Sequence, residues 1–124
     1  MTLKVLAIDD SRTIRELLRH VMEEAGFQFT AASDGVEGVA RYAELRPDVV
    51  ITDINMPNLD GYGVIDAIRK GSIDNAVPIL VLTTESGEVL KARARIAGAT
   101  GWIVKPFDDV SLVSAVRRVT GAVA

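Results

Sequence analysis

The 124-residue chain contains no cysteine and one histidine, His20. The first absence excludes disulfides and thiolate metal sites, and the second argues against a histidine-built zinc centre. No apolar run approaches the ~20 residues of a membrane span. The start, Met1-Thr2-Leu3-Lys4, runs straight into a strand pattern and lacks the layout of a secretory leader. A soluble cytoplasmic protein is therefore expected, with no membrane partner. A net charge of -3 gives no basis for nonspecific nucleic-acid binding. The apolar fraction, 48%, is that of an ordinary globular protein, and the length suits one domain spanning 1–124.

The stretch that organises the chain is Val49-Val50-Ile51-Thr52-Asp53-Ile54-Asn55-Met56-Pro57-Asn58-Leu59-Asp60-Gly61. Val49 to Ile51 reads as a strand buried on both faces. Asp53 falls where the strand stops, Pro57 cannot continue a ladder, and Asp60-Gly61 is a turn pair. The first strand, Lys4 to Ile8, ends in Asp9-Asp10, and Ser11 then suits a helix N-cap. Ile14, Leu17, Leu18, Val21, Met22 and Ala25 form one helical stripe before Gly26. Phe27 to Ala32 is a second strand and Ser33-Asp34-Gly35 a turn. A second helix turns Val36, Val39, Ala40 and Ala43 inward and closes before Pro47.

Gly63 to Lys70 is a short third helix, and Ser72 to Val77 a polar loop. Ile79 to Leu82 is a strand ending in Thr83-Thr84-Glu85. The next helix starts at Ser86 or Gly87 and runs to Ala97. Trp102 to Val104 is the last strand, ending in Lys105-Pro106. Asp109 is expected to cap a final helix with Leu112, Val113, Val116 and Val119 inward. Strand and helix alternate five times, and four strands are near-continuous apolar runs. That pattern specifies an α/β fold, a doubly wound five-stranded parallel sheet with five helices on its two faces.

Ligands of open α/β sheets sit beyond the carboxyl ends of the strands. Four of the five ends carry polar groups: Asp9 and Asp10, Asp53, Thr83, and Lys105. Each has a plain structural reading alone, as a helix cap, a turn acid, strand threonine or solvated lysine. Together they make a constellation. Like charges ~4 Å apart repel by ~4 kcal/mol at an effective dielectric of ~20. Such a cluster holds a proton at raised pKa or recruits a cation. Oxygen-only ligands favour Mg²⁺ or a similar hard ion. A carboxylate nucleophile, a metal, a hydroxyl and an ammonium suit phosphoryl acceptance. His20, off the apolar stripe, and Lys91, Arg93 and Arg95 read as solvated groups.

Asp9-Asp10, the run Asp53 to Gly61, Thr83 and Lys105-Pro106-Phe107 resemble the receiver domain of two-component response regulators, over the whole chain. Asn55-Met56-Pro57-Asn58, Thr83-Thr84-Glu85-Ser86 and Gly98-Ala99-Thr100-Gly101-Trp102 resemble the CheY-type, flavodoxin-like chemotaxis regulators. The resemblance implies strand order 2-1-3-4-5, and a phosphoryl group passed to Asp53 from a CheA-type histidine kinase. It implies Mg²⁺ on Asp10, Asp53 and the Asn55 carbonyl, with Asp9 acting through water. Lys105 bridges to the phosphoryl oxygens across a cis bond to Pro106, while Thr83 and Trp102 switch the surface of the last two helices and last strand.

Asn55 and Glu85 stand where family members tune hydrolysis, and Glu85 is expected to orient the attacking water. Trp102 replaces the more usual Tyr or Phe, and Thr84 a smaller residue. The expected output is a monomer's contact with the flagellar motor switch protein FliM, since no DNA-binding segment follows the last helix. Two alternatives use the same site, a phosphate sink and a phosphorelay receiver. An aspartyl-phosphate phosphatase would need a second acid and a substrate pocket, and a flavodoxin-like FMN binder would need a phosphate-cradling loop where Asp9-Asp10 stand. Catalysis is expected only of the chain's own phosphorylation and dephosphorylation, not of an enzyme's turnover.

Overall fold

A computed structural model describes residues 2–71 and 76–121. The elements alternate as β1 (Lys4–Ile8), α1 (Arg12–Glu24), β2 (Gln28–Ala32), α2 (Gly35–Leu45), β3 (Val49–Thr52), α3 (Gly61–Lys70), β4 (Ile79–Thr83), α4 (Glu88–Ala97), β5 (Gly101–Val104) and α5 (Asp109–Thr120). All four strand pairings are parallel, in the order β2-β1-β3-β4-β5. The chain leaves β1 toward β2 on one side and returns to β3 on the other. The crevice above β1 and β3 is therefore the switch point of the sheet.

Alternation along the strands builds two cores. Leu6, Ile8, Val50, Ile79 and Val81 face α2, α3 and α4, meeting Tyr42, Val64, Ile65, Ile68 and Ala94. Val5, Ala7, Val49, Ile51, Leu80 and Leu82 face α1 and α5, meeting Leu18, Val21, Met22, Leu112, Ala115 and Val116. Each buried Leu, Ile, Val or Met side chain contributes roughly 1.5–3 kcal/mol. Two dry faces are why β1, β3 and β4 carry almost no polar residue before their ends.

Several details differ from the sequence expectation. The buried residues of α2 are Gly35, Gly38 and Tyr42, while Val36 is 57% exposed and Ala40 and Ala43 face solvent. Gly38 lies so close to β1 that a Cβ there would strike the Ile8 side chain. Close approach, not apolar side chains, selects that face of the helix. Leu17 is 43% exposed, because α1 centres its contact on Leu18, Val21 and Met22. Asp108, not Asp109, caps α5: its carboxylate accepts the Ser111 amide at 2.8 Å, and Asp109 sits in the first turn. β2 begins at Gln28, one residue later than expected. α3 begins at Gly61, two residues early, because Asp60 caps it by accepting the Gly63 amide at 2.8 Å. Arg93 is not simply solvated; its guanidinium lies 3.9 Å from the Tyr62 ring centre. Of the expected Ser72 to Val77 loop, residues 72–75 lie outside the described set.

The loop after β3 folds back under tight constraint. The Gly61 amide donates to the Ile54 carbonyl at 2.8 Å, and a Cβ at Gly61 would collide with the Asp53 carbonyl. Asn58 takes a left-handed φ of 70° and its side-chain amide donates to Asp34 at 2.7 Å. Gly61→Ala is therefore expected to destabilise the chain by roughly 1–3 kcal/mol, the usual cost of overpacking. Urea denaturation should show a lower midpoint with an unchanged m-value.

Candidate functional site

The parallel register brings the strand ends level. Asp9 follows β1 and Asp53 follows β3, and the Asp53 amide donates to the Ile8 carbonyl at 3.0 Å. Both acids are nearly covered, Asp9 at 2% and Asp53 at 9% exposure, while Asp10 is exposed. Carboxylate oxygens of Asp9, Asp10 and Asp53 all lie within 4.8 Å of one another. Three oxygen donors without nitrogen or sulfur fit a hard divalent cation.

Lys105 answers this charge. Its chain continues from β5, whose Val104 pairs with Thr83, and the Lys105 amide donates to the Thr83 carbonyl at 2.8 Å. The peptide to Pro106 is cis. The ammonium Nζ donates to Asp9 Oδ2 at 2.7 Å and to Asp53 Oδ2 at 2.9 Å. The other carboxylate oxygens are held by main chain. Asp9 Oδ1 accepts the Ser11 amide at 2.9 Å, and Asp53 Oδ1 accepts the Ile54 amide at 2.6 Å.

Burial raises the Asp9 pKa, and hydrogen bonds from Lys105 and the Ser11 amide only partly offset it. Burial pulls the Lys105 ammonium downward, but hydrogen bonds and charge from Asp9 and Asp53 outweigh it and leave its pKa raised. The two acids share one cation and still repel each other.

The second half of the rim hangs on Glu85. The Thr83 hydroxyl, fully buried, accepts the Glu85 amide at 3.3 Å. The Glu85 carboxylate accepts from the Asn55 side-chain amide at 3.1 Å, and its main-chain carbonyl accepts the Trp102 indole N–H at 3.2 Å. Thr83, Glu85, Asn55 and Trp102 thus form one hydrogen-bonded chain from β4 across the β3 loop to β5. The structure brings Asp9, Asp10, Asp53 and Lys105 together, with Thr83, Glu85 and Asn55 beside them. His20 is exposed on α1, 3.9 Å from Glu24.

Arg15 went unnoticed in the sequence. Its guanidinium Nη1 donates to the Asp9 carbonyl at 2.8 Å. The available signal was a long cationic side chain about one turn into the helix that follows the acids. A groove of about 750 Å³ between α1 and α5, lined by His20, Glu24, Val113 and Arg117 among others, touches none of the acidic cluster.

The raised Asp9 pKa has a stability consequence. A carboxyl whose folded pKa lies above its unfolded value costs stability once both states ionise, and costs nothing when both are protonated. Asp9→Asn is therefore expected to raise the melting temperature at pH 7 in metal-free buffer. The gain should shrink as pH falls through the raised Asp9 pKa and be gone below the ordinary carboxylate value, by thermal melts of both proteins across pH 3–7.

The model of the response regulator receiver domain matches residues 5–117. Protein PilG of Pseudomonas aeruginosa is 35% identical over 93% of this chain and 85% of its own length. The chain spans about half the length of two further relatives, 44% of the probable transcriptional regulator ycf27 of Guillardia theta and 52% of the transcriptional regulatory protein PrrA of Mycobacterium leprae. The chemotaxis protein CheY4 of Vibrio cholerae superimposes with a TM-score of 0.92 at 41% identity, over 96% of this chain and 99% of that one. The receiver domain of a sensor histidine kinase from Pseudomonas aeruginosa, with a magnesium ion coordinated in its active site cleft, gives 0.90 at 25% identity over 98% and 99%. With its 2-1-3-4-5 sheet and the acids gathered at its switch point, the chain belongs to the response regulator receiver domains of two-component signalling.

Proposed function

We propose that Asp53 is the phosphoacceptor of a signalling switch, loaded by a CheA-type histidine kinase and read by the flagellar motor switch protein FliM. The observation that carries the first half is the Asp9–Lys105–Asp53 bridge beside Asp10: a nearly covered carboxylate flanked by further acids and one cation. In the transfer an Asp53 carboxylate oxygen bonds to phosphorus as the bond from phosphorus to the kinase's histidine nitrogen breaks. Mg²⁺, held by Asp9, Asp10, Asp53 and the Asn55 carbonyl, would supply the positive charge that lets anionic phosphoryl oxygens approach three acids. Lys105 pairs with a phosphoryl oxygen in place of a carboxylate, as a point charge on a flexible stem. The Thr83 hydroxyl donates to another phosphoryl oxygen.

Hydrolysis reverses the loading: water bonds to phosphorus and the bond to Asp53 breaks. Glu85, steadied by Asn55, orients that water. The chain catalyses only these two steps on itself and is not a turnover enzyme. Trp102 changes position as Thr83 does, and α4, β5 and α5 then present a different surface. Val89 and Ile96 on α4 are 83% and 86% exposed with Arg93 one turn from each, and Lys91, Arg95 and Trp102 line a groove of about 120 Å³ elsewhere on that helix and β5. Exposed apolar side chains beside cations suit an acidic peptide with apolar anchors, and the likeness to a chemotaxis regulator supports the motor as its source. Among the described residues no helix is long and apolar enough to cross a membrane. A cytoplasmic monomer meeting a kinase and a motor protein is consistent with that.

Incubation with acetyl phosphate should add one phosphoryl group to the intact mass, only with Mg²⁺ and not in Asp53→Asn. No addition to the parent under any condition would end the phosphoacceptor reading. In the same assay Glu85→Ala should slow decay of the phosphorylated form about tenfold, less than the roughly 10²–10⁴-fold typical of a group that itself transfers a proton, because Glu85 only orients the water. An unchanged decay rate removes Glu85 from the mechanism. Binding of the FliM N-terminal peptide should tighten about tenfold with a phosphoryl mimic on Asp53. Equal affinity in both states would favour the phosphate-sink alternative.

A further inference from the structure

We propose that Arg15 is a positioning residue of the metal-binding acids, acting through the Asp9 carbonyl. The inference rests on the reading of Asp9, Asp10 and Asp53 as a divalent-cation site. Asp9 is held at its other polar atoms by known partners: its amide donates to the Ala32 carbonyl at 3.1 Å, and its carboxylate accepts from Ser11 and Lys105. Its carbonyl lies beyond the last ladder residue of β1, and the Arg15 guanidinium donates to it at 2.8 Å. That carbonyl sets the plane of the peptide joining Asp9 to Asp10. Asp10 is exposed, so its carboxylate takes its direction from that peptide. Arg15 itself is anchored, its amide donating to the Ser11 carbonyl at 3.0 Å in the first turn of α1. The side chain therefore reaches back from a fixed helix start to fix the bend that aims two acids.

Geometry and charge predict opposite signs here. A guanidinium acting only as nearby positive charge repels a cation, so its removal would tighten cation binding. A guanidinium that aims the acids supports binding, and losing such an outer partner typically weakens metal affinity by about 10–100-fold.

Calorimetric titration of the full chain with Mg²⁺ distinguishes the two. Arg15→Met should bind Mg²⁺ about tenfold more weakly than the parent. Arg15→Lys, which keeps the charge but loses the planar fork, should also bind more weakly and serves if the Met variant does not fold. Arg12→Met, the same charge change at an exposed position on that turn, should bind no more weakly than the parent. Parent-like or tighter binding in the Arg15 variants overturns the proposal while leaving the cation site standing, and so does equal weakening in Arg12→Met. A parent chain that binds no Mg²⁺ overturns both.

Discussion

One ammonium held between two covered carboxylates governs the top of this sheet. Lys105 Nζ reaches Asp9 and Asp53 at 2.7 and 2.9 Å, and all three side chains are at most 12% exposed. A buried ion pair is weak evidence for stability, because desolvation offsets most of the Coulomb attraction. Here there are two acids to one base, with Asp10 adjacent, so the arrangement is not fully compensated. Burial leaves the Asp9 pKa raised even with Lys105 beside it. Such a cluster costs the fold something, and the cost makes sense at a site that takes up charge.

Much else serves to hold that cluster in place. Two-sided burial forces β1, β3 and β4 to be apolar up to their last residues, which pushes polar groups to the ends. The parallel register then sets Asp9 beside Asp53, and the β4–β5 pairing delivers Lys105 opposite them. The fold-back at Gly61 packs against the Asp53 carbonyl with no room for a side chain. Gly38 performs the same service one layer away, letting α2 close against Ile8. These close contacts and the main-chain amides on the carboxylates hold the acids in place alongside the ion pairs.

The strand ends were legible in the sequence because each is a linear feature: an apolar run, then a polar residue. Asp9, Asp10, Asp53, Thr83 and Lys105 could thus be picked out together from the parallel reading. The inward face of α2 was not legible, since glycine adds nothing to a count of apolar side chains yet permits the closest packing. Asp108 and Asp109 both satisfy the pattern for a helix cap, and only the backbone chooses between them. The Trp102 to Glu85 and Arg15 to Asp9 hydrogen bonds join main-chain carbonyls to side chains from other segments or turns. A carbonyl carries no signature in the sequence, so such partners emerge only from coordinates.

The Glu85 linkage also bears on how a change at Asp53 could reach β5. Thr83, Glu85, Asn55 and Trp102 are joined by three hydrogen bonds of 3.1–3.3 Å, none short. A neutral hydrogen bond contributes about 0.5–1.5 kcal/mol net, so those at Thr83 and Trp102 each bias a two-state element by only a few-fold to about tenfold. Bonds to a charged group are worth roughly 1.5–3 kcal/mol. If Thr83 exchanges its bond to the Glu85 amide for one to a phosphoryl oxygen, it trades the weaker kind for the stronger. The released amide loosens the segment whose carbonyl holds the indole. A difference of one or two kcal/mol there shifts a population about five- to thirtyfold, the scale of a graded switch. The long, neutral bonds at Thr83 and Trp102 are thus suited to being broken, whereas the short ionic ones at Lys105 are suited to persist until a stronger anion replaces a carboxylate.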